Sequence, residues 1–384
     1  MMGNDVPASV LGRRVLNRAT LARQMLLQRA ELSVSEAVAA LVGLQAQTTH
    51  SWYVGLWTRL EGLEPEAVGK QLEERRLVRL ALMRSTIHLV TAEDCLALRP
   101  VVQPVIERSV RGQFGRRLEG LDREEVAAAA RALVEEQPRT FSELARLLEE
   151  RFPGRDAFAL GQAVRAWVPL VQVPPRGVWG KSGRAAHTSV EAWLGGVPSL
   201  GSSLEDLIVR YLAAFGPATV KDAQIWSGLT RLREVIERLR PRLITFRDEQ
   251  GAELFDLPEA PRPDPDTPAP PRFLYDYDNL LLSHFDRSRV ITDGYREQDF
   301  ASDGPMPSIV LLDGFTNATW KLTRHRGTAT LTIRPFKRLL DEDATALAEE
   351  GVRLLAFLTP DADIREVRFT TDDAIDQTEG RPRR

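Results

Sequence analysis

The chain has 384 residues, 43% hydrophobic and 27% charged, with a formal net charge of −3. That length suffices for two or three domains with buried cores, in an ordinary globular composition. One cysteine, Cys95, excludes internal disulfides and any cysteine-built metal or iron–sulfur site. No apolar run reaches the ~18 residues of a membrane span, and the first residues lack the apolar centre of a secretory signal. A cytoplasmic location with no membrane contact fits all of this.

Charge is unevenly spread. Residues 341–384 hold 12 acidic and 6 basic residues, leaving 45 basic and 42 acidic in the preceding 340. Residues 12–29 carry Arg13, Arg14, Arg18, Arg23 and Arg29 and no acid. Residues 104–118 carry Arg108, Arg111, Arg116 and Arg117 against Glu107 alone. Arginine in this excess suits bidentate phosphate contact, although charge runs are usually solvated faces.

In chain order, LNRATLARQMLLQRA (16–30) predicts a first helix with apolar and basic sides. SVSEAVAALVGLQAQ follows, with a Ser cap at Ser33 or Ser35. SWYVGLWTRL and PEAVGKQLEERR come next. LVRLALMRSTIHLVT (77–91) then turns β-like, with a turn at RS. Short helices followed by a hairpin is the winged-helix plan, and the pattern recurs. A second unit runs from a cap at Thr140 or Ser142 through DAFALGQAVRAW to a Pro/Gly-rich hairpin. A third runs from helix 203–215 through Thr219, Gly228 and a helix at 230–239 to a hairpin around EQG.

Residues 258–271 hold seven prolines in 14 residues, which predicts a stiff exposed linker or loop rather than a packed element. Beyond it, RVIT, SIVLLDG, TATLTI and EVRFT read as strands, DEDATALAEEGVRLLAFL as a helix and GRPRR as a frayed end. The resulting fold class is helix-rich α+β. Residues 12–118, 119–200 and 201–257 form three tandem winged-helix units, 258–271 a linker, and 272–384 a small α+β region.

Standard chemical motifs are absent: no P-loop, no glycine fingerprint, no H-E-x-x-H. The five histidines show no metal-ligand spacing, so no metal or other cofactor is expected. LVGLQAQTTH (41–50) poses a geometric question. On a helix, Gln45 and Gln47 diverge by about 200°. In extended backbone they face the same way. Local spacing leaves both open.

LVGLQAQ…WYVGLWTRL, LMRSTIHLVT, AFGPATVKDAQIWSGL, NLLLSHFDRSRV and VLLDGFTNATWKL occur in this order over nearly the whole chain. Together they resemble the tandem winged-helix DNA glycosylases of the AlkZ and YcaQ type. The resemblance implies a C-shaped arrangement around double-stranded DNA carrying alkylated or crosslinked purines. It also implies a catalytic Q-Φ-Q element at Gln45-Ala46-Gln47. YcaQ-type members carry Q-Φ-D there, so Gln47 puts the chain nearer the AlkZ branch.

The implied chemistry is coherent. Glutamine does not ionise near neutral pH and is a poor general base. It can hold a water and face its dipole to a developing oxocarbenium. That suffices where the leaving base is already cationic, as in N7-alkylguanine or N3-alkyladenine. No lysine neighbours the pair, so a monofunctional enzyme is expected.

Candidate DNA contacts are Arg84 and His88 at the first wing, and Trp179 and Lys181 at the second. Ser283, His284 and Arg287 match the family's SHxDR element. Arg324, His325 and Arg326 form a basic hairpin tip. His88 and Trp320 also suit structural roles. The rivals are a non-catalytic winged-helix DNA-binding protein or transcriptional regulator, and a protein scaffold.

Overall fold

The structure, a computed structural model, describes residues 9–196, 202–298, 300 and 306–370; the GRPRR end lies outside them. It is a mixed α+β fold. Strand β1 (Val10–Leu11) leads into α1 (Arg13–Arg23), which stops well short of residue 30. Met25 takes a left-handed φ of 56°, and the buried Gln24 amide donates to Ala214 O at 2.7 Å.

Next come α2 (Val34–Ala40), β2 (Leu44–Gln45), α3 (Trp52–Trp57), α4 (Pro65–Glu73), β3 (Leu77–Ala81) and β4 (Ile87–Thr91). Ser33 starts α2 in a reciprocal capping box with Glu36, an arrangement that stabilises a helix by about 1 kcal/mol. The β3–β4 turn is made where RS predicts it, with Arg84 and Ser85 at φ 54° and 62°. Helices α5 (Ala92–Val101) and α6 (Gln103–Phe114) then cross to a second set.

There the order helix, short extended piece, helix, helix, strand, strand returns. The members are α7 (Arg123–Glu136), a bridge at Arg139, α8 (Phe141–Arg151), α9 (Ala157–Trp167), β5 (Leu170–Gln172) and β6 (His187–Ser189). Helix α7 is not among the elements that the sequence patterns predict. After α10 (Val190–Leu194) the order appears a third time. It comprises α11 (Leu204–Phe215), a bridge at Ala218, α12 (Val220–Ser227), α13 (Arg233–Leu239), β7 (Ile244–Asp248) and β8 (Glu253–Asp256). In all three, the short piece pairs antiparallel with the last strand: Leu44 with Leu89, Arg139 with His187, Ala218 with Phe255.

The hairpins do not stand alone. Strand β3 pairs with β5, giving one sheet in the order β2-β4-β3-β5-β6, and β1 adds in parallel to β7. The C-terminal region contributes β9 (Arg272–Phe273), α14 (Asp293–Arg296), β10 (Ser308–Leu312), β11 (Phe315–His325), β12 (Thr328–Pro335), α15 (Asp341–Leu358) and β13 (Ile364–Phe369). Its sheet order is β13-β12-β11-β10-β9. RVIT is not a strand; Val290 and Ile291 are buried in a loop against Leu21 and Leu311. Leu44, Ala46, Trp52 and Tyr53 share one apolar cluster with Phe273, Tyr275, Val310 and Leu331. The C-terminal sheet is thereby docked on the strand that carries Gln45.

Apart from the exposed Arg13, the first arginine run is turned toward partners within the fold. Arg14 and Arg18 both pair with Asp313. Arg23 makes a bidentate pair with the fully buried Asp256 at 2.7 and 2.9 Å. The same side chains donate to Pro265 O, Thr267 O and Pro261 O. The proline-rich segment is therefore strapped along α1 rather than free. Proline has no N–H but keeps its carbonyl, which makes it a suitable acceptor rail for guanidinium groups.

Candidate active site

The backbone just after α2 decides the geometry of LVGLQAQTTH. The helix ends at Ala40, and Val42 and Gly43 take φ of 55° and 85°. A Cβ at Gly43 would lie 2.6 Å from Val90 Cγ1 and 2.9 Å from Leu89 O, so only glycine lets the chain come this close to β4. The backbone then extends: Gln45 pairs with His88, and Ala46 N donates to Ile87 O at 2.7 Å. Alternation results, with Leu44 and Ala46 in the core and Gln45 and Gln47 on the other side.

Both glutamines meet the same β3–β4 turn. Gln45 Oε1 accepts from Arg84 Nη2 at 2.7 Å, and Gln47 Oε1 accepts from Ile87 N at 3.3 Å. Gln45 is 4% exposed while Gln47 lies at the surface. The Gln45 amide orientation is set by the guanidinium, which can only donate. Gln45 N donates to Asn279 Oδ1 at 3.3 Å, and Asn279 Nδ2 to Gly43 O at 2.6 Å, so the C-terminal region brackets the strand.

Arg84 also donates to Trp226 O, tying the turn to α12. Burial lowers its pKa to about 10, with nearby Tyr275 opposing and Arg287 adding to the shift, so it is a cation at neutral pH. His88 is 1% exposed, with Nδ1 2.9 Å from Thr86 O. Burial, then Arg84, pushes its pKa down to about 3, so its ring is neutral. His88 is a structural neighbour of Gln45, with no surface to offer DNA.

The other expected contacts divide by exposure. Ser283 is fully buried and donates to Asn279 O at 2.5 Å; His284 is 1% exposed, with Nε2 3.0 Å from Phe215 O. Both support the Asn279 segment from inside. Arg287 is half-buried. Trp179 is half-buried between Tyr53 and Phe357, at ring distances of 4.9 and 5.6 Å. Trp320 is half-buried and donates to Leu274 O at 2.8 Å.

Lys181 is exposed and paired with Glu73 at 2.6 Å. Arg324 pairs with Asp361 at 3.0 Å, while His325 and Arg326 stand exposed at the β11–β12 tip. An open cleft of about 580 Å³, lined by His50, Trp179, Lys181 and Arg324 among others, joins the two hairpin regions. Among the described residues, no cluster of three or more His, Cys, Asp or Glu side chains is placed to hold a metal, and no helix is long and apolar enough to cross a membrane.

Sequence reasoning missed Asn279, Asp276 and the Arg59–Asp278 pair (2.7 and 2.8 Å) that holds this segment. DYDNL displays the residue types, but nothing in it indicates contact with a strand far upstream.

The family model described as "DNA glycosylase AlkZ-like" matches residues 38–357. Among solved structures, the Streptomyces sahachiroi DNA glycosylase AlkZ has a similar fold. It superposes with a TM-score of 0.70 at 20% identity, covering 94% of this chain and 100% of that one. No curated protein matches in sequence. The family match takes in the glutamine strand, its turn and most of the docked C-terminal sheet, and the chain belongs to the AlkZ-like DNA glycosylase family.

Proposed function

We propose that this glycosylase excises cationic alkylated purines, N7-alkylguanine and N3-alkyladenine, through a water positioned by Gln45 and Gln47. The observation that carries the reading is that Gln45, in β2, and Gln47, two residues beyond it, both hydrogen-bond to the β3–β4 turn and the start of β4. Each Oε1 accepts one protein hydrogen bond and keeps a second lone pair for water. The water attacks the sugar C1′ as the base leaves. A neutral amide gives limited assistance, so the leaving group must already be positively charged.

The three repeats of helix, short strand, two helices and hairpin support a reading as tandem winged helices curved round a duplex. Exposed Arg111, Arg116, His325 and Arg326 suit phosphate contact. Gln47 and Thr48 lie at the surface rather than in a closed pocket. A base with a bulky or crosslinked adduct cannot be swung into a tight cavity, and a surface site accommodates it. Interstrand-crosslink unhooking is therefore part of the proposal, as are a monomeric enzyme and action on chromosomal DNA in the cytoplasm.

The test is a panel of duplexes carrying 7-methylguanine, 3-methyladenine, hypoxanthine or uracil. Release of the first two without the last two, and without strand cleavage, is the expected result. Comparable release of the neutral bases overturns the cationic-leaving-group reading.

A further inference from the structure

A carboxylate beside the glutamine pair has no role in the chemistry above. Asp276 lies just before Asn279, in the segment that packs against β2, and is 8% exposed. Thr48 Oγ1 donates to its Oδ2. Its Oδ1 is buried and has no partner among the described residues. Asp278, two residues on, contrasts sharply: Arg59 holds both its oxygens, at 2.7 and 2.8 Å. No arginine, lysine or histidine pairs with Asp276 among the described residues.

Thr48 directly follows Gln47 and is exposed. A threonine hydroxyl has one proton and two lone pairs. Its proton is directed to Asp276, so its lone pairs are left to accept. The two residues therefore form a line from the surface beside Gln47 to a buried carboxylate with acceptor capacity to spare. This is the nucleophile-side logic of other hydrolytic sites, where an outer group is oriented by a buried acid behind it.

We propose that Thr48 and Asp276 relay the proton of the attacking water. The inference rests on Gln45 and Gln47 marking the reacting site. The C1′–N bond breaks with both electrons going to the purine nitrogen, cancelling the base's positive charge. The water oxygen forms the new bond to C1′. One water proton passes to Thr48 Oγ1 as the threonine proton passes to Asp276, which later releases it to solvent. Thr48 is the catalytic residue because it touches the water; Asp276 is the positioning residue acting through it. The glutamines orient the water, and the relay supplies the proton acceptor that an amide cannot be.

Single-turnover release of 7-methylguanine is measured for wild type, Thr48→Val, Thr48→Ser, Asp276→Asn and the Thr48→Val/Asp276→Asn double variant. Duplex Kd and Tm are measured on the same preparations. Thr48→Val and Asp276→Asn are each expected to slow release about 100-fold, the scale of general-base assistance. The double variant is expected to be no slower than either single one, because the two residues act as a unit. Thr48→Ser restores release and keeps the wild-type Tm, and Kd stays unchanged in every variant. Thr48→Val lowers Tm because the buried Asp276 loses its hydroxyl partner, and the double variant with Asp276→Asn relieves that Tm loss without restoring release.

Multiplying losses, wild-type release by Thr48→Val, or losses that follow Tm or Kd overturn the relay. A wild type that releases no base overturns the functional reading as well. An active wild type and an inactive Gln45→Ala, with full activity in Thr48→Val and Asp276→Asn, overturns the relay alone.

Discussion

Residues 12–29 and 104–118 look alike as sequence, and the fold gives them different surroundings. Most of the first run is spent inside the protein: Arg18 is fully buried, Arg23 is locked to Asp256, and Arg29 pairs with Glu350 at 2.6 Å while lying 4.5 Å over the Trp57 ring, with Arg13 alone of the five exposed. The second run, on α6 and the turn after it, buries Val105, Ile106 and Val110 and leaves Arg108, Arg111, Arg116 and Arg117 exposed. Partners make the difference. The first run meets Asp256, Asp313 and Glu350, all distant in the chain. The second has Glu107, which is taken by Arg123, and the half-buried Asp156, 3.4 Å from Arg117.

Substitutions should separate the two runs cleanly. The largest effect is expected for Arg23→Ala, which strands the Asp256 carboxylate beside Arg262 in the interior. Breaking one side of such a buried pair destabilises by roughly 3–5 kcal/mol. A Tm within a degree of wild type would place this arginine among the surface cations after all.

The inward side of the comparison also has a pH signature. His88 and His187 are buried, and burial lowers their pKa values to about 3 and about 4, from 6.5. The unfolded chain therefore takes up these protons first as pH falls. Stability is intact above about pH 6.5 and declines toward pH 4, by roughly 1.4 kcal/mol per pH unit for each histidine. Urea denaturation at pH 7 and pH 5 checks this; a curve flat over that interval for wild type contradicts it.

The smallest effect belongs to the outward run. Arg111→Ala should change stability by less than about 0.5 kcal/mol. It should also reduce the slope of log K against log salt for duplex binding by about one. If the slope is unchanged, α6 faces away from DNA, and the contrast between the runs is one of burial alone.

Local signals in the sequence were dependable. Ser33, Thr140 and Thr219 cap helices where their spacing places caps, and the left-handed Arg84–Ser85 turn sits where RS interrupts the β-like run. These features depend on neighbours within a few residues. The glutamine pair was only half legible. Spacing left helix and extended backbone open, and the decision came from Gly43 and the β4 pairing, which are tertiary. The Asn279–Asp276 bracket, the β3–β5 junction and the arginine clasp were not legible, because each joins segments remote in the chain. His88, Ser283 and His284 have polar chemistry suited to DNA, yet burial leaves them to support the strand that carries Gln45.

The most direct measurement is base release by Gln45→Ala and by Gln47→Ala from a 7-methylguanine duplex, with duplex affinity determined on the same samples. Both variants are predicted to lose at least about 100-fold in single-turnover rate, the scale of removing one preorganised dipole from a reacting centre, while Kd and Tm hold. Wild-type release by both variants would contradict the assignment of the glutamine strand as the catalytic site.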